Sequence, residues 1–428
     1  MAFPRWFIDD VLARTSLVEV VGRRVAYDRR RSNPARRDFW ACCPFHDEAT
    51  PSFHVEEDKK LYHCFGCGKS GSAITFLEET EGLTREEAVK RLAEGAGLAL
   101  PTPRQSAGAR AEADARAALA TVMERAATLY AGELWGPRGA AARSYLERRG
   151  LSRPLAEAFG LGLAPDAWSH LHDALTRGGT PPGVLEAAGL VRPRRSGSGF
   201  VDLFRNRLIV PIHDMRGKVI AFGGRALDPA EKAKYINSPE TPLFHKGEVL
   251  FNLHRAGPHA RRSGRLIVVE GYMDVIALAR AGLPEAVAPL GTALTAAQGK
   301  RLFQIAREVV LMFDGDAAGR AAAARALATL LPDLGAQTRI RVARLPDGQD
   351  PDDVVRAHGP QAIAEVLAAA EPLVEALWTN ALGAVDIADP QGRQTLEARL
   401  TEEVGTIREP GLRHQFLAEF RARVRALT

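Results

Sequence analysis

Residues 266–274 read LIVVEGYMD: four apolar residues, then Glu270, Gly271 and, four positions past the glutamate, Asp274. The same grammar returns at 309–316, VVLMFDGD, where Val309–Phe313 leads into Asp314, Gly315 and Asp316. A third run, Ile340–Leu345, precedes Asp347, Asp350, Asp352 and Asp353. Short continuous apolar runs are the pattern of strands buried on both faces. Residues 286–290 supply a fourth run, and helical segments lie between the runs. This alternation predicts a parallel sheet covered by helices. Such sheets bind ligands beyond the carboxyl ends of their strands. Three strands thus deliver carboxylates to one edge of one sheet.

Clustered carboxylates repel unless a cation sits among them. Mg²⁺ takes a few carboxylates in octahedral oxygen coordination and keeps waters. Two such ions can activate a hydroxyl and steady a leaving pyrophosphate. The plain alternatives are a solvated turn for Asp-Gly-Asp and helix capping for Asp274 and Asp352.

All four cysteines lie between positions 42 and 67. Cys43-Pro-Phe-His46 and Cys64-Phe-Gly-Cys67 are two ligand pairs of equal spacing across a hairpin-sized gap. That is the donor pattern of a tetrahedral Zn²⁺, and thiolates favour zinc over magnesium. Disulfides or unligated thiols are the alternative. Cys42, His54 and His63 stand outside the spacing, and Cys42 would enter only if the first pair shifted by one residue. Strand-like runs at 38–41, 52–55 and 61–65, then helices near 72–79 and 85–94, predict a zinc ribbon. Phe39, Trp40, Phe53, Tyr62 and Phe65 divide between its small core and a stacking surface for single-stranded nucleic acid.

The chain has 428 residues, 46% apolar and 25% charged, which describes a globular protein of several domains. No apolar run is long enough to span a membrane, and the N-terminus does not read as a signal peptide. Confinement of cysteine to one cluster fits a reducing, cytoplasmic compartment. The net charge of +5 is unevenly placed: residues 201–262 carry 11 Lys and Arg against 6 Asp and Glu, and 263–428 carry 18 against 21. Basic surface beside a carboxylate cluster suits a polyanion handled with divalent metal. The expected organisation is multidomain, α+β and α/β. A zinc ribbon (1–100) is followed by a linker (101–115) poor in large apolar residues, then a basic segment (116–262). The parallel-sheet subdomain (263–360) and a helical C-terminal segment (361–428) complete it.

CPFH (43–46), HCFGC (63–67), NRLIVPI (206–212), GGRAL (223–227), YINSPET (235–241), FHKG (244–247), VVEGYMD (268–274), FDGDAAG (313–319) and LPDGQDPDD (345–353) occur in this order. On these motifs the chain resembles the bacterial DnaG-type DNA primase family over residues 4–370. The resemblance implies a Toprim sheet within an RNA polymerase core that makes short RNA primers on single-stranded DNA from ribonucleoside triphosphates. It implies structural zinc on Cys43, His46, Cys64 and Cys67. It implies Mg²⁺ or Mn²⁺ at Glu270, Asp314 and Asp316, with Asp274, Asp350 and Asp352 in support. Glu270 is left as ligand or general base. It also implies nucleotide and template handling by Arg149, Arg225, Lys234, Asn237 and Lys246. A replicative helicase and a single-strand binding protein are the implied partners, at the replication fork. The family's C-terminal helicase-binding domain would begin near residue 428, so helicase docking is not expected of these residues. Two other readings stay open on residues alone: a nuclease or topoisomerase of the Toprim kind, and a non-catalytic zinc-ribbon DNA-binding module.

Overall fold

The computed structural model describes residues 3–101, 103–194 and 196–427, which form two compact units, 1–115 and 116–428. In the first unit, α1 (Arg5–Arg14) and α2 (Leu17–Gly22) precede a four-stranded antiparallel sheet. Its strands β1 (Asp38–Ala41), β2 (Phe53–Glu56), β3 (Leu61–Cys64) and β4 (Ser70–Gly71) pair in chain order. Period-two alternation sends Phe53, Val55, Tyr62 and Cys64 inward. Helices α3 (Ala73–Glu81) and α4 (Arg85–Gly95) close the core, with Phe76 edge-on to Tyr62 at 5.7 Å. Thr84 and Glu87 form a reciprocal capping box that starts α4.

Residues 103–115, expected to be linker, are helical: they open α5 (Pro103–Trp135). The stretch ARAEADARAALA (109–120) is built from strong helix formers, so propensity makes helix without large apolar side chains. Thr102 lies outside the described residues. Burial begins further along the helix, at Leu119, Val122, Met123, Ala126, Tyr130 and Leu134, on one face at helical spacing.

The second unit continues with α6 (Ala140–Arg148), α7 (Arg153–Ala158), β5 (Gly162–Ala164), α8 (His170–Arg177) and α9 (Pro182–Ala187). A small hairpin, β6 (Val191–Pro193) and β7 (Phe200–Asp202), follows. Then β8 (Arg207–His213), β9 (Val219–Ala226) and β10 (Tyr235–Asn237) join β5 in an antiparallel sheet of order β10-β9-β8-β5. The β8–β9 turn is set by Asp214, whose Oδ1 accepts from the Arg216 and Lys218 amides at 2.8 and 2.9 Å.

After α10 (Leu253–Ser263) come β11 (Arg265–Val268), α11 (Tyr272–Arg280), β12 (Ala286–Val287), α12 (Ala296–Ile305), β13 (Glu308–Leu311), α13 (Ala317–Leu330) and β14 (Arg339–Val342). The unit ends with α14 (Pro351–Ala368), β15 (Glu371–Pro372), α15 (Leu373–Leu382), α16 (Pro390–Gly405) and α17 (Pro410–Arg425). The sheet order is β12-β11-β13-β14-β15, parallel except for β15. Leu266, Val309 and Ile340 align across its three central strands. Ile267, Val310 and Met312 pack into one core, while Leu266, Val268, Val309 and Leu311 pack into the other. Burial on both faces is why these strands read as unbroken apolar runs.

Candidate active site and zinc centre

In the first unit, one donor atom from each of Cys43, His46, Cys64 and Cys67 lies within 4.8 Å of all the others. Cys43 Sγ is 3.8 Å from Cys67 Sγ, and Cys64 Sγ is 3.9 Å from His46 Nδ1. A tetrahedral ion with Zn–S bonds of about 2.3 Å needs donor–donor edges of this size. The set therefore fits zinc, with Cys43 and not the exposed Cys42 as ligand. Glu48, which sequence reasoning missed, organises the cradle. Its carboxylate lies 3.4 Å from His46 Nε2, and it accepts from the Cys43 amide at 2.6 Å and the Ser52 hydroxyl at 2.6 Å. This contact orients the imidazole with Nδ1 toward the thiolates. Gly66 is required by close approach, since a Cβ there would sit 2.6 Å from His46 Nε2.

Of the ribbon's five candidate rings, Phe53 and Tyr62 are core, while Phe39 and Trp40 are half-buried. Phe65 stands exposed and stacks on Trp40 at 5.7 Å.

In the second unit, the parallel strands carry Glu270, Asp314 and Asp350 to one edge. Asp314 donates its amide to Glu270 Oε1 at 3.2 Å, tying the first two strand ends together. Gly315 packs its backbone against the loop after β14: its amide donates to the Gln349 carbonyl at 2.9 Å, and a Cβ would meet the Pro346 oxygen at 2.0 Å. Asp316 caps α13, accepting from the Gly319 amide at 2.7 Å. Asp350 caps α14, accepting from the Asp353 amide at 2.6 Å. Asp274 is buried and accepts from the Gly271 amide at 3.0 Å. Carboxylate oxygens of Asp350, Asp352 and Asp353 lie within 4.8 Å of one another. Capping therefore belongs to Asp316 and Asp350 and also to Asp274, whose carboxylate caps α11 through the Gly271 amide, while Asp352 lies inside α14.

Burial, then the Glu270, Asp350 and Asp316 carboxylates, push the Asp314 carboxyl up to about 7. Burial and the charges of Asp350, Asp314 and Asp352 drive Asp274 well above the carboxylate range. Asp350 is raised too, chiefly by burial. Asp314 Oδ1 is buried without a hydrogen-bond partner. Buried, mutually repelling, incompletely bonded carboxylates are the donor set a hard divalent cation satisfies.

The expected cations and Asn237 divide into different settings. Arg149 ion-pairs with the fully buried Asp352, which also lies 3.6 Å from Arg356. Arg225 lies over the Tyr145 ring at 4.3 Å and donates to the Tyr235 hydroxyl at 3.2 Å. Lys234, just ahead of β10, is 5.9 Å from the Tyr235 ring. Both ends of the Asn237 amide are used internally: Nδ2 donates to the Leu290 carbonyl at 2.9 Å and Oδ1 accepts from the Tyr272 hydroxyl at 2.5 Å. It braces β10 against α11 and the loop after β12. Lys246 is half-buried in a loop whose turn is closed by Glu240, accepting from the Lys246 amide at 2.9 Å. Tyr145, the ring beneath Arg225, carried no sequence signal, because an aromatic at helical spacing reads as core.

Comparison with known proteins follows the same division. Residues 3–107 match the CHC2 zinc finger model, 129–257 the N-terminal domain of the DNA primase catalytic core, and 267–355 a Toprim-like model. The chain is 42% identical to an Escherichia coli DNA primase over 395 residues, covering 92% of this chain and 66% of that one. It is 43% identical to a Pseudomonas aeruginosa DNA primase over 412 residues, covering 94% and 60% respectively. It thus spans slightly under two thirds of these relatives. Among solved structures, the Aquifex aeolicus primase zinc-binding and RNA polymerase domains align with TM-score 0.63 at 30% identity, over 99% of this chain and 97% of that one. A Pseudomonas aeruginosa DNA primase domain aligns with TM-score 0.68 at 40% identity, over 72% and 97%. A DnaG primase catalytic domain bound to ssDNA aligns with TM-score 0.67 at 39% identity, over 73% and 97%.

Proposed function

The chain belongs to the bacterial DnaG-type DNA primase family, and from that premise we propose that it synthesises short RNA primers on single-stranded DNA from ribonucleoside triphosphates. The observation that carries the reading is the joining of Glu270 and Asp314 at two parallel strand ends, with Asp314 Oδ1 buried and unpartnered. Glu270, Asp314 and Asp316 are assigned to hold the catalytic cation, with Asp350 beside them and Asp274 behind. Bound Mg²⁺ or Mn²⁺ supplies Lewis acidity and charge neutralisation where a ribose 3′-hydroxyl displaces pyrophosphate.

The chain's own residues orient the reactants. Arg225, fixed between the Tyr145 ring and the Tyr235 hydroxyl, offers a forked donor to phosphate. Asp352 serves chiefly as counter-ion to Arg149, holding that guanidinium beside the carboxylates. Asn237 acts as a brace, and Lys234 and Lys246 add positive charge for the triphosphate and template. The zinc ribbon, residues 1–100, presents Phe65 and Trp40 to the template. We assign 116–262 and 263–360 to the basic and metal-binding parts of the polymerase core, and 361–428 to its helical end.

No helix among the described residues is long and apolar enough to cross a membrane. We place the activity at the cytoplasmic replication fork, on template coated by single-strand binding protein and opened by a helicase. Incubation of single-stranded DNA with four labelled ribonucleotides and Mg²⁺ or Mn²⁺ tests the assignment. Short RNA products are expected. Plasmid relaxation or nicking without incorporation would transfer the site to nuclease or topoisomerase chemistry.

A further inference from the structure

Next to the carboxylates of the second unit, two cations share one aromatic ring. Tyr145, in α6, is half-buried against the core that holds Leu146, Leu208 and Ile276. Its hydroxyl is buried and makes no hydrogen bond to the described residues. The neighbours use the ring instead. The Arg225 guanidinium, from β9, lies over it at 4.3 Å, and that of Arg149, four residues past Tyr145, at 5.6 Å. Residues four apart lie on one face of a helix, and a ring attracts a cation within about 6 Å of its centroid. The two arginines differ in what else holds them. Arg149 ion-pairs with Asp352, beside the Asp350 and Asp353 carboxylates. Arg225 has no carboxylate partner among the described residues. Its other contacts are the Tyr235 hydroxyl at 3.2 Å, the Tyr235 ring at 5.8 Å and the Ala226 carbonyl at 3.5 Å.

A carboxylate orients a guanidinium but also neutralises it, so a triphosphate has to displace the carboxylate. A ring orients the guanidinium through its quadrupole and leaves the full charge in place. Arg225 is thus held as a forked donor whose charge is unspent. The ring also opposes a second tendency. Repulsion from Arg149 and the rotamer entropy of a long side chain both favour turning Arg225 out to solvent.

We infer that Tyr145 is a positioning residue for the nucleotide triphosphate, its ring and not its hydroxyl registering Arg225 against Arg149 and so against the carboxylate set. This rests on the primase reading and adds to it a residue that acts through an arginine. The test uses the full zinc-loaded chain. Nucleotide KM and kcat of primer synthesis are measured with Mg²⁺, and Kd for labelled ATP is measured by anisotropy with Mg²⁺ and no template. Y145F is expected to match the wild type, because the hydroxyl it removes is unpartnered. Y145L is expected to raise KM and Kd about 5- to 30-fold, with kcat changed less than about threefold. R225K keeps the charge and leaves the Tyr145 ring in its packing, but loses the planar stack. It is expected to raise both constants by a similar factor, which reads the same contact should Y145L melt below the wild type. In an R225A background, Y145L is expected to change Kd less than about twofold. A wild-type chain that primes, with Y145L and R225K at wild-type KM and Kd, would overturn the assignment. So would a Y145F variant as impaired as Y145L, or a Y145L effect undiminished in R225A. A wild-type chain that binds ATP, loses that binding in Y145L and makes no RNA would instead overturn the primase reading and leave the role of Tyr145 standing.

Discussion

Asp314 is the carboxylate on which the proposed assignment of the second unit chiefly rests. Its raised pKa of about 7 arises first from burial and then from the carboxylates around it. Between the ordinary carboxylate pKa and about 7, the folded chain holds a proton that the unfolded chain has released. Without magnesium, stability should therefore fall as pH rises through that window. Urea melts at pH 4.5 and 7.5 in magnesium-free buffer check the sign, and Asp314→Asn should remove this contribution. The same substitution should lower primer synthesis by roughly 10³-fold or more, read on protein whose melting shows it folded. At the ribbon, Gly66→Ala drives a Cβ to 2.6 Å from His46 Nε2. The expected outcome is loss of zinc, measured as metal content per chain. The meeting of Glu270 with Asp314 at one sheet edge, and of the four zinc donors, was legible because strand-end position and spacing mark them. Glu48 and Tyr145 were not, because their partners come from tertiary contacts and neither has a motif of its own.

Among the elements, the runs that became β11, β12, β13 and β14 were readable from apolar continuity. The two-residue β15 and β4 are too short for periodicity to carry a signal. At 103–115 low apolar content reads as a linker between units, and the stretch is nevertheless helical because alanine, arginine and glutamate favour helix. Packing of β8 against α10 also carries a prediction. His213, at the end of β8, and His254, in α10, place their rings 4.4 Å apart. Burial, then the neighbouring His213 and Arg255, lower His254 to about 4. A lowered folded-state pKa means that the unfolded chain takes up the proton first. Stability should therefore decline as pH falls from about 6.5 to about 4. The effect is about 1–2 kcal/mol, discounted because the ring is partly solvated. His254→Asn should flatten that slope in denaturant melts, whatever its effect at neutral pH.

For the whole molecule, two units with separate cores and separate metal chemistry should unfold as two transitions. Zinc chelation should lower only the transition of the first unit, and added Mg²⁺ should raise only that of the second, by mass action on the folded form. Scanning calorimetry with and without each metal reads both shifts. A single transition moved by both metals would instead mean that the units unfold together. The sequence by itself determined the elements and their chemistry: donor spacing names zinc, apolar runs name buried strands, and acids after those runs name a sheet edge. Only the tertiary structure decided which donors meet. It separated Cys43 from Cys42 and made Asp352 the partner of Arg149. It turned Asn237 inward as a brace and set Arg149 and Arg225 on the one Tyr145 ring. These outcomes depend on side-chain direction and on partners up to 203 residues apart in the chain. Local propensity specifies neither, because such contacts exist only once the cores have packed.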